Sequence, residues 1–122
     1  MKTVYICGPY TGKTPWETEQ NVRRAEALAA EVALAGFAPV CVHTMCRFFT
    51  GIRDYDFWCE ATLAIMRQCD CVLLTPDWKL SNGACGEFND AMNRMQPVFW
   101  CIDDLKRLHD SLVRPETDEN QD

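Results

Sequence analysis

Glu87 stands where a carboxylate can do more than solubilise a helix. It follows the run Ser81-Asn82-Gly83-Ala84-Cys85-Gly86, and that run follows Cys71-Val72-Leu73-Leu74, a short apolar stretch of strand character broken at Pro76. A strand that ends in a glycine-containing loop and feeds a helix is where open α/β sheets bind small anionic ligands. A carboxylate in that setting is either a first-turn residue favoured by the helix dipole or a nucleophile held at the mouth of a pocket. The second loop with chemical character is Gly8-Pro9-Tyr10-Thr11-Gly12-Lys13. Its glycines have three residues between them where a P-loop needs four, which argues against a Walker-type NTPase. Backbone N–H groups at such a loop and at a helix N-terminus can still hold one phosphate, aided by Lys13 and Ser81. The alternative is an ordinary strand-to-helix connection.

Other side chains carry two readings each. Asp56 and Glu60 are spaced i,i+4, so one helix face presents both, either toward a crevice or to solvent. Trp78, in the loop before Ser81, can stack on a nucleobase or cover the edge of the core. Tyr5 and Tyr10 are packing candidates before they are catalytic ones. His43 reads as the end of a strand.

These residues need elements to position them, and the chain supplies a regular alternation. Thr3 to Cys7 is β-branched and aromatic and predicts the first strand. Thr14-Pro15-Trp16-Glu17 has the capping-box form and opens a helix to Ala35, with Val22, Ala25, Leu28 or Ala29, and Val32 on its apolar stripe. Gly36 is its C-cap. Phe37 to His43 predicts the second strand. Asp54 caps a helix from Tyr55 to Cys69 with Trp58, Ala61 or Thr62, and Ile65 facing the core. A third strand begins at Cys71, a helix spans Ala84 to Met95, and Pro97 to Ile102 predicts the fourth strand. A short helix, Leu105 to Val113, closes a domain of residues 1–113, and the acidic residues 114–122 read as a disordered tail.

Such alternation predicts a flavodoxin- or Rossmann-like α/β fold: an open parallel sheet of about four to five strands with helices on both faces. Strands one and three should be neighbours, so that the two loops meet at the crevice between their C-terminal ends.

Composition narrows the function classes. At 122 residues there is room for one domain and one core. A formal net charge of -6 argues against a groove for a nucleic-acid polymer. No stretch is apolar enough to span a membrane and no signal-peptide pattern opens the chain, which makes the cytoplasm the expected location. Of the eight cysteines, Cys7, Cys41, Cys71 and Cys101 fall one on each predicted strand, where a thiol is a small buried hydrophobe. No Cys-x-x-Cys pair occurs, and His43 with Cys46 and Cys41 or Cys59 has no recognised ligand spacing, so no metal is expected.

The runs Tyr5-Ile6-Cys7-Gly8-Pro9-Tyr10-Thr11-Gly12, Cys69 to Trp78, and Ser81-x-Gly83-Ala84-x-x-Glu87-x-x-x-Ala91, with Asn21 on the first helix, resemble the nucleoside 2-deoxyribosyltransferase-like proteins. That group includes transferases, deoxynucleoside 5′-monophosphate N-glycosidases and small phage-type members. The resemblance implies that Glu87 attacks the anomeric carbon, that Tyr5 orients it, and that Gly8 to Gly12 lies along the sugar or its 5′-phosphate. Ser81, six residues before Glu87, matches the phosphate-binding serine of the nucleotide hydrolases. It further implies a small-molecule nucleoside or nucleotide as partner, a homo-oligomer, and no cofactor.

The sequence departs from the pattern at Thr62, eight residues before Asp70, where the family carries an aspartate. Protonation of the departing base then falls to Asp56, Glu60 or Asp77. The alternatives are a nucleotide-binding module without catalysis and a hydrolase of a larger nucleotide such as NAD.

Overall fold

A computed structural model describes residues 1–110 of the chain. Four strands, β1 (Thr3–Cys7), β2 (Ala38–Val40), β3 (Cys71–Leu74) and β4 (Val98–Phe99), form one open sheet in the order β2-β1-β3-β4. Every pairing is parallel, with Tyr5 opposite both Val40 and Val72. Helices α1 (Pro15–Leu34), α2 (Val42–Cys46), α3 (Tyr55–Arg67) and α4 (Asn82–Asn93) connect the strands, and residues 102–110 form a further helix, α5. This is a Rossmann-like α/β fold. The sequence expectation for the tail 114–122, and for a last helix ending at Val113, lies outside the described residues.

The two faces of the sheet follow from strand alternation. Val4, Ile6, Cys71 and Leu73 pack with Ala25, Ala29 and Val32 of α1 and Leu105 of α5. Tyr5, Cys7, Val72 and Leu74 face the other way, onto Val42, Met66, Ala84 and Ala91. That parity decides the site, because it turns the Tyr5 side chain toward α3 and α4.

Local signals set the element ends. Thr14 Oγ1 accepts from the Glu17 N–H at 3.2 Å and Pro15 takes the first helical position, as the capping-box form predicts. Gly36, at φ +97°, takes the left-handed conformation after α1 that a side chain would resist. Asp54 caps α3 by accepting from the Phe57 N–H at 2.9 Å.

Four expectations require correction. The second strand stops at Val40, and Val42 to Cys46 turns into α2, so His43 is helical rather than a strand end. Consequently Cys41 precedes a helix, while Cys101 is exposed beyond a fourth strand of only two residues. Helix α4 begins two residues before Ala84, because Ser81 supplies an N-cap, accepting from the Ala84 N–H at 3.1 Å. On α3, which ends at Arg67, only Met66 is fully buried. Its Trp58 and Thr62 face a cavity instead of closed core.

Candidate active site

At the switch point of the sheet, beyond the C-terminal ends of β1 and β3, lies a cavity of about 890 Å³. Four segments build its wall. Gly8, Tyr10 and Thr11 come from the loop after β1, and Val42, His43 and Cys46 from α2. The stripe Tyr55, Trp58, Cys59 and Thr62 comes from α3, at helical spacing. Ser81 to Ala84, with Glu87, comes from the start of α4.

Glu87 is held from the sheet below. Tyr5, fully buried on β1, donates its hydroxyl to Glu87 Oε2 at 2.6 Å. Such a charge-assisted bond fixes which way the carboxylate points. Burial pushes the Glu87 carboxyl above its usual range, against the opposing influence of the Tyr5 hydroxyl, the Cys7 thiol and the Thr62 hydroxyl. The same burial, with the Glu87 charge added, pushes the Tyr5 phenol well up and the Cys7 thiol up. In the pair Tyr5 is the donor and Glu87 Oε2 the acceptor. Thr62 Oγ1 lies against α3's own backbone, donating toward Trp58 O at 2.9 Å. Turned from there toward Glu87, the same O–H would donate to the carboxylate and hold it down.

The first loop is fixed by neighbouring elements. Asn21 Nδ2 donates to Tyr10 O at 3.0 Å, Tyr10 Oη donates to Cys46 O at 3.0 Å, and the Gly12 N–H donates to Thr18 Oγ1 at 2.9 Å. A Cβ on Gly8 would fall 2.3 Å from Thr75 Oγ1, so this position must stay bare for β1 and β3 to end side by side. His43, buried in the wall, brings Nε2 within 3.1 Å of Gly8 O and 3.0 Å of Pro9 O. Two carbonyls facing one nitrogen require that nitrogen to carry the proton. Burial lowers the tendency of His43 to take a second proton, and its Nδ1 has no partner among the described residues.

The sequence-derived candidates therefore divide. Tyr5, Gly8, Tyr10, Thr11, Ser81, Gly83, Ala84 and Glu87 converge on the cavity. Pro9 and Gly12 shape its first loop without lining it. Lys13 is exposed outside the lining, where its backbone N–H donates to Glu17 Oε2 at 2.6 Å. Asp56 and Glu60 sit on α3 beside the lining stripe and are exposed. Asp77 accepts from Thr75 Oγ1 at 2.8 Å, lies 3.7 Å from Arg24 Nε and does not line the cavity. Trp78 packs with Phe88 at 4.5 Å and Trp100 at 5.8 Å between ring centroids, which is the core-edge alternative.

A family model described as a domain of unknown function, DUF7768, matches residues 2–101. The chain belongs to the DUF7768 family. No curated protein matches it. The matched span of this DUF7768 domain includes every residue of the cavity wall, from Tyr5 to Glu87. Among the described residues of the DUF7768 domain, no three His, Cys, Asp or Glu side chains group as metal ligands would.

What the DUF7768 wall offers chemically is a single aimed carboxylate, a helix N-terminus and several hydroxyls. Tyr55 and Trp58 are the lining residues to which the sequence reading gave no part in a site. For the α3 group a signal existed, since Tyr55, Trp58, Cys59 and Thr62 form a stripe whose polar members fit a cavity better than a core.

Proposed function

We propose that this domain cleaves or transfers the N-glycosidic bond of a nucleoside or its 5′-monophosphate, with Glu87 as nucleophile. The observation that carries the proposal is the 2.6 Å bond from Tyr5 to Glu87 at the floor of a switch-point cavity. A carboxylate oriented by a buried phenol and lining the cavity is the arrangement that attack on an anomeric carbon requires. Glu87 would displace the base through an oxocarbenium-like transition state, and water or a second base would release the sugar from the resulting ester. The N-terminal turn of α4, with Ser81 and Thr11, supplies neutral donors for a sugar hydroxyl or a 5′-phosphate.

A homo-oligomer in the cytoplasm belongs to the same proposal. Exposed Tyr55 and Leu80 line the mouth, and exposed Phe48 and Ile52 flank the lining residue Thr50, a rim that a second copy would cover.

Chromatography of free base released from deoxynucleosides and their monophosphates, with wild type beside Glu87→Ala, tests the proposal. Release by the wild type alone is expected. No release from any substrate by folded wild type, with nucleotide binding seen by titration, would replace it with a binding module.

A further inference from the structure

Cleaving an N-glycoside makes a demand that this cavity does not meet. An uncharged base departs with the electron pair of the broken bond and is a poor leaving group until a proton joins it. Among the described residues that line the cavity, Glu87 is the only carboxylate, and the proposed chemistry uses it as nucleophile. Asp77 is engaged with Thr75 and Arg24, and Asp56 and Glu60 stand outside the lining. His43 has no acidic proton to give, because its one N–H is directed at the Gly8 and Pro9 carbonyls. The remaining protic groups are phenols and thiols, whose ordinary values lie above about 8, and aliphatic hydroxyls, which are weaker acids still. Burial pushes Tyr10 and Cys46 higher still.

The wall is also electrically one-sided. No lysine or arginine lines it among the described residues, and the one carboxylate of the lining is that of Glu87. Tyr10, Tyr55 and Trp58 present aromatic side chains to the same space, and aromatic faces attract cations.

Resting on the N-glycosidase reading, we infer that the substrate is a nucleoside whose base is already a ring cation, of the pyridinium or N7-alkylated purine type. Glu87 forms a bond to C1′ as the C1′–N bond breaks. Both electrons of that bond pass to the ring nitrogen and cancel its charge, so the base leaves neutral without a proton. Water then opens the glycosyl ester, placing its oxygen on C1′ and giving one proton to solvent. Each turnover therefore releases one proton, whereas hydrolysis of an uncharged nucleoside releases none. Thr62, beside the Tyr5–Glu87 pair, is the position where an acid would have to stand for an uncharged base.

The experiment compares wild type, Glu87→Gln and Thr62→Asp on nicotinamide riboside and 7-methylguanosine, and on deoxyguanosine and deoxycytidine. Base is followed by chromatography and protons by an indicator in weak buffer. Wild type is expected to cleave the cationic pair at least about 100-fold faster, the scale of a general acid's contribution, with one proton per base released from nicotinamide riboside. Thr62→Asp is expected to raise cleavage of the uncharged pair at least about tenfold without raising that of the cationic pair. A second readout needs no variant: with no acid to lose, the rate on nicotinamide riboside should rise along one limb and stay level through about pH 8. Comparable wild-type rates on uncharged substrates, or a bell-shaped profile, would overturn the inference and leave the N-glycosidase reading standing. Folded wild type that releases no base from either class would overturn both.

Discussion

Burying a carboxylate ordinarily discourages its charge, and Glu87 shows that conflict directly. Its value is raised by burial, so the folded state holds the proton more tightly than the unfolded chain does. Below the ordinary carboxylate range both states are protonated and the site imposes no penalty. As pH rises through the raised folded value, stability is lost, because ionised Glu87 is better solvated in the unfolded chain. Glu87→Gln keeps the shape and can still accept from Tyr5 Oη. It should therefore melt at a higher temperature than wild type at about pH 7.5 and at the same temperature near pH 4. Base release should fall by roughly 10³-fold or more. A stability gain bought with lost activity is expected of a strained functional group and not of a surface glutamate. Tyr5→Phe acts in the opposite sense. It removes the hydroxyl that holds the carboxyl down, so the rising limb of the pH–rate profile should move to higher pH. Thermal unfolding should show a loss of about 1–3 kcal/mol from the unpaired buried acceptor. An unmoved limb would mean that Tyr5 only packs.

At the scale of elements, the site depends on how closely β1 and β3 end together. Gly8→Ala would drive a methyl group to 2.3 Å from Thr75 Oγ1, and a β-strand end cannot shift without disturbing the Tyr5–Glu87 alignment. Overpacking of this kind costs about 1–3 kcal/mol. Because the obstruction is a side chain, Thr75→Gly should recover part of that loss in the double variant, and a thermal-melt cycle measures the coupling. The alternation of strands and helices and the α1 stripe were legible in the sequence, since each rests on local periodicity and caps, and the adjacency of β1 and β3 followed from the strand order usual in such an open parallel sheet. The convergence of Tyr5 with Glu87 was legible only through the resemblance, because strand parity does not say which helix covers which face. His43 was misplaced for a similar reason. The run Val40-Cys41-Val42, with its two β-branched valines, favours a strand, but the edge strand β2 ends where α2 folds back and brings His43 to the Gly8 and Pro9 carbonyls. Trp78 was the opposite case. Its loop position suggested a ligand, while Phe88 and Trp100, distant in sequence, supply the partners that make it part of the core edge.

For the molecule as a whole, two features bear on whether copies of the chain associate. The net charge of -6 opposes association, and in the proposed oligomer burial of the exposed Phe48, Ile52, Tyr55 and Leu80 would offset it. Repulsion between exposed charges is screened within about 8–10 Å at physiological ionic strength, whereas apolar burial is not weakened by salt. Association through the rim should therefore tighten as salt is raised, the reverse of what an interface built on ion pairs would do. Phe48→Asp combined with Ile52→Asp should yield a monomer in sedimentation. Because both side chains are exposed in the single copy, its thermal stability at low concentration should change by no more than about 0.5 kcal/mol. If the neighbour also closes the mouth beside Tyr55 and Leu80, base release per chain should fall on dilution of wild type and stay low in the double variant at every concentration. A single-copy mass for wild type at all concentrations and salts would show instead that the rim meets substrate alone. The aromatic Tyr55 would then be free to close over the bound base rather than over a second protein.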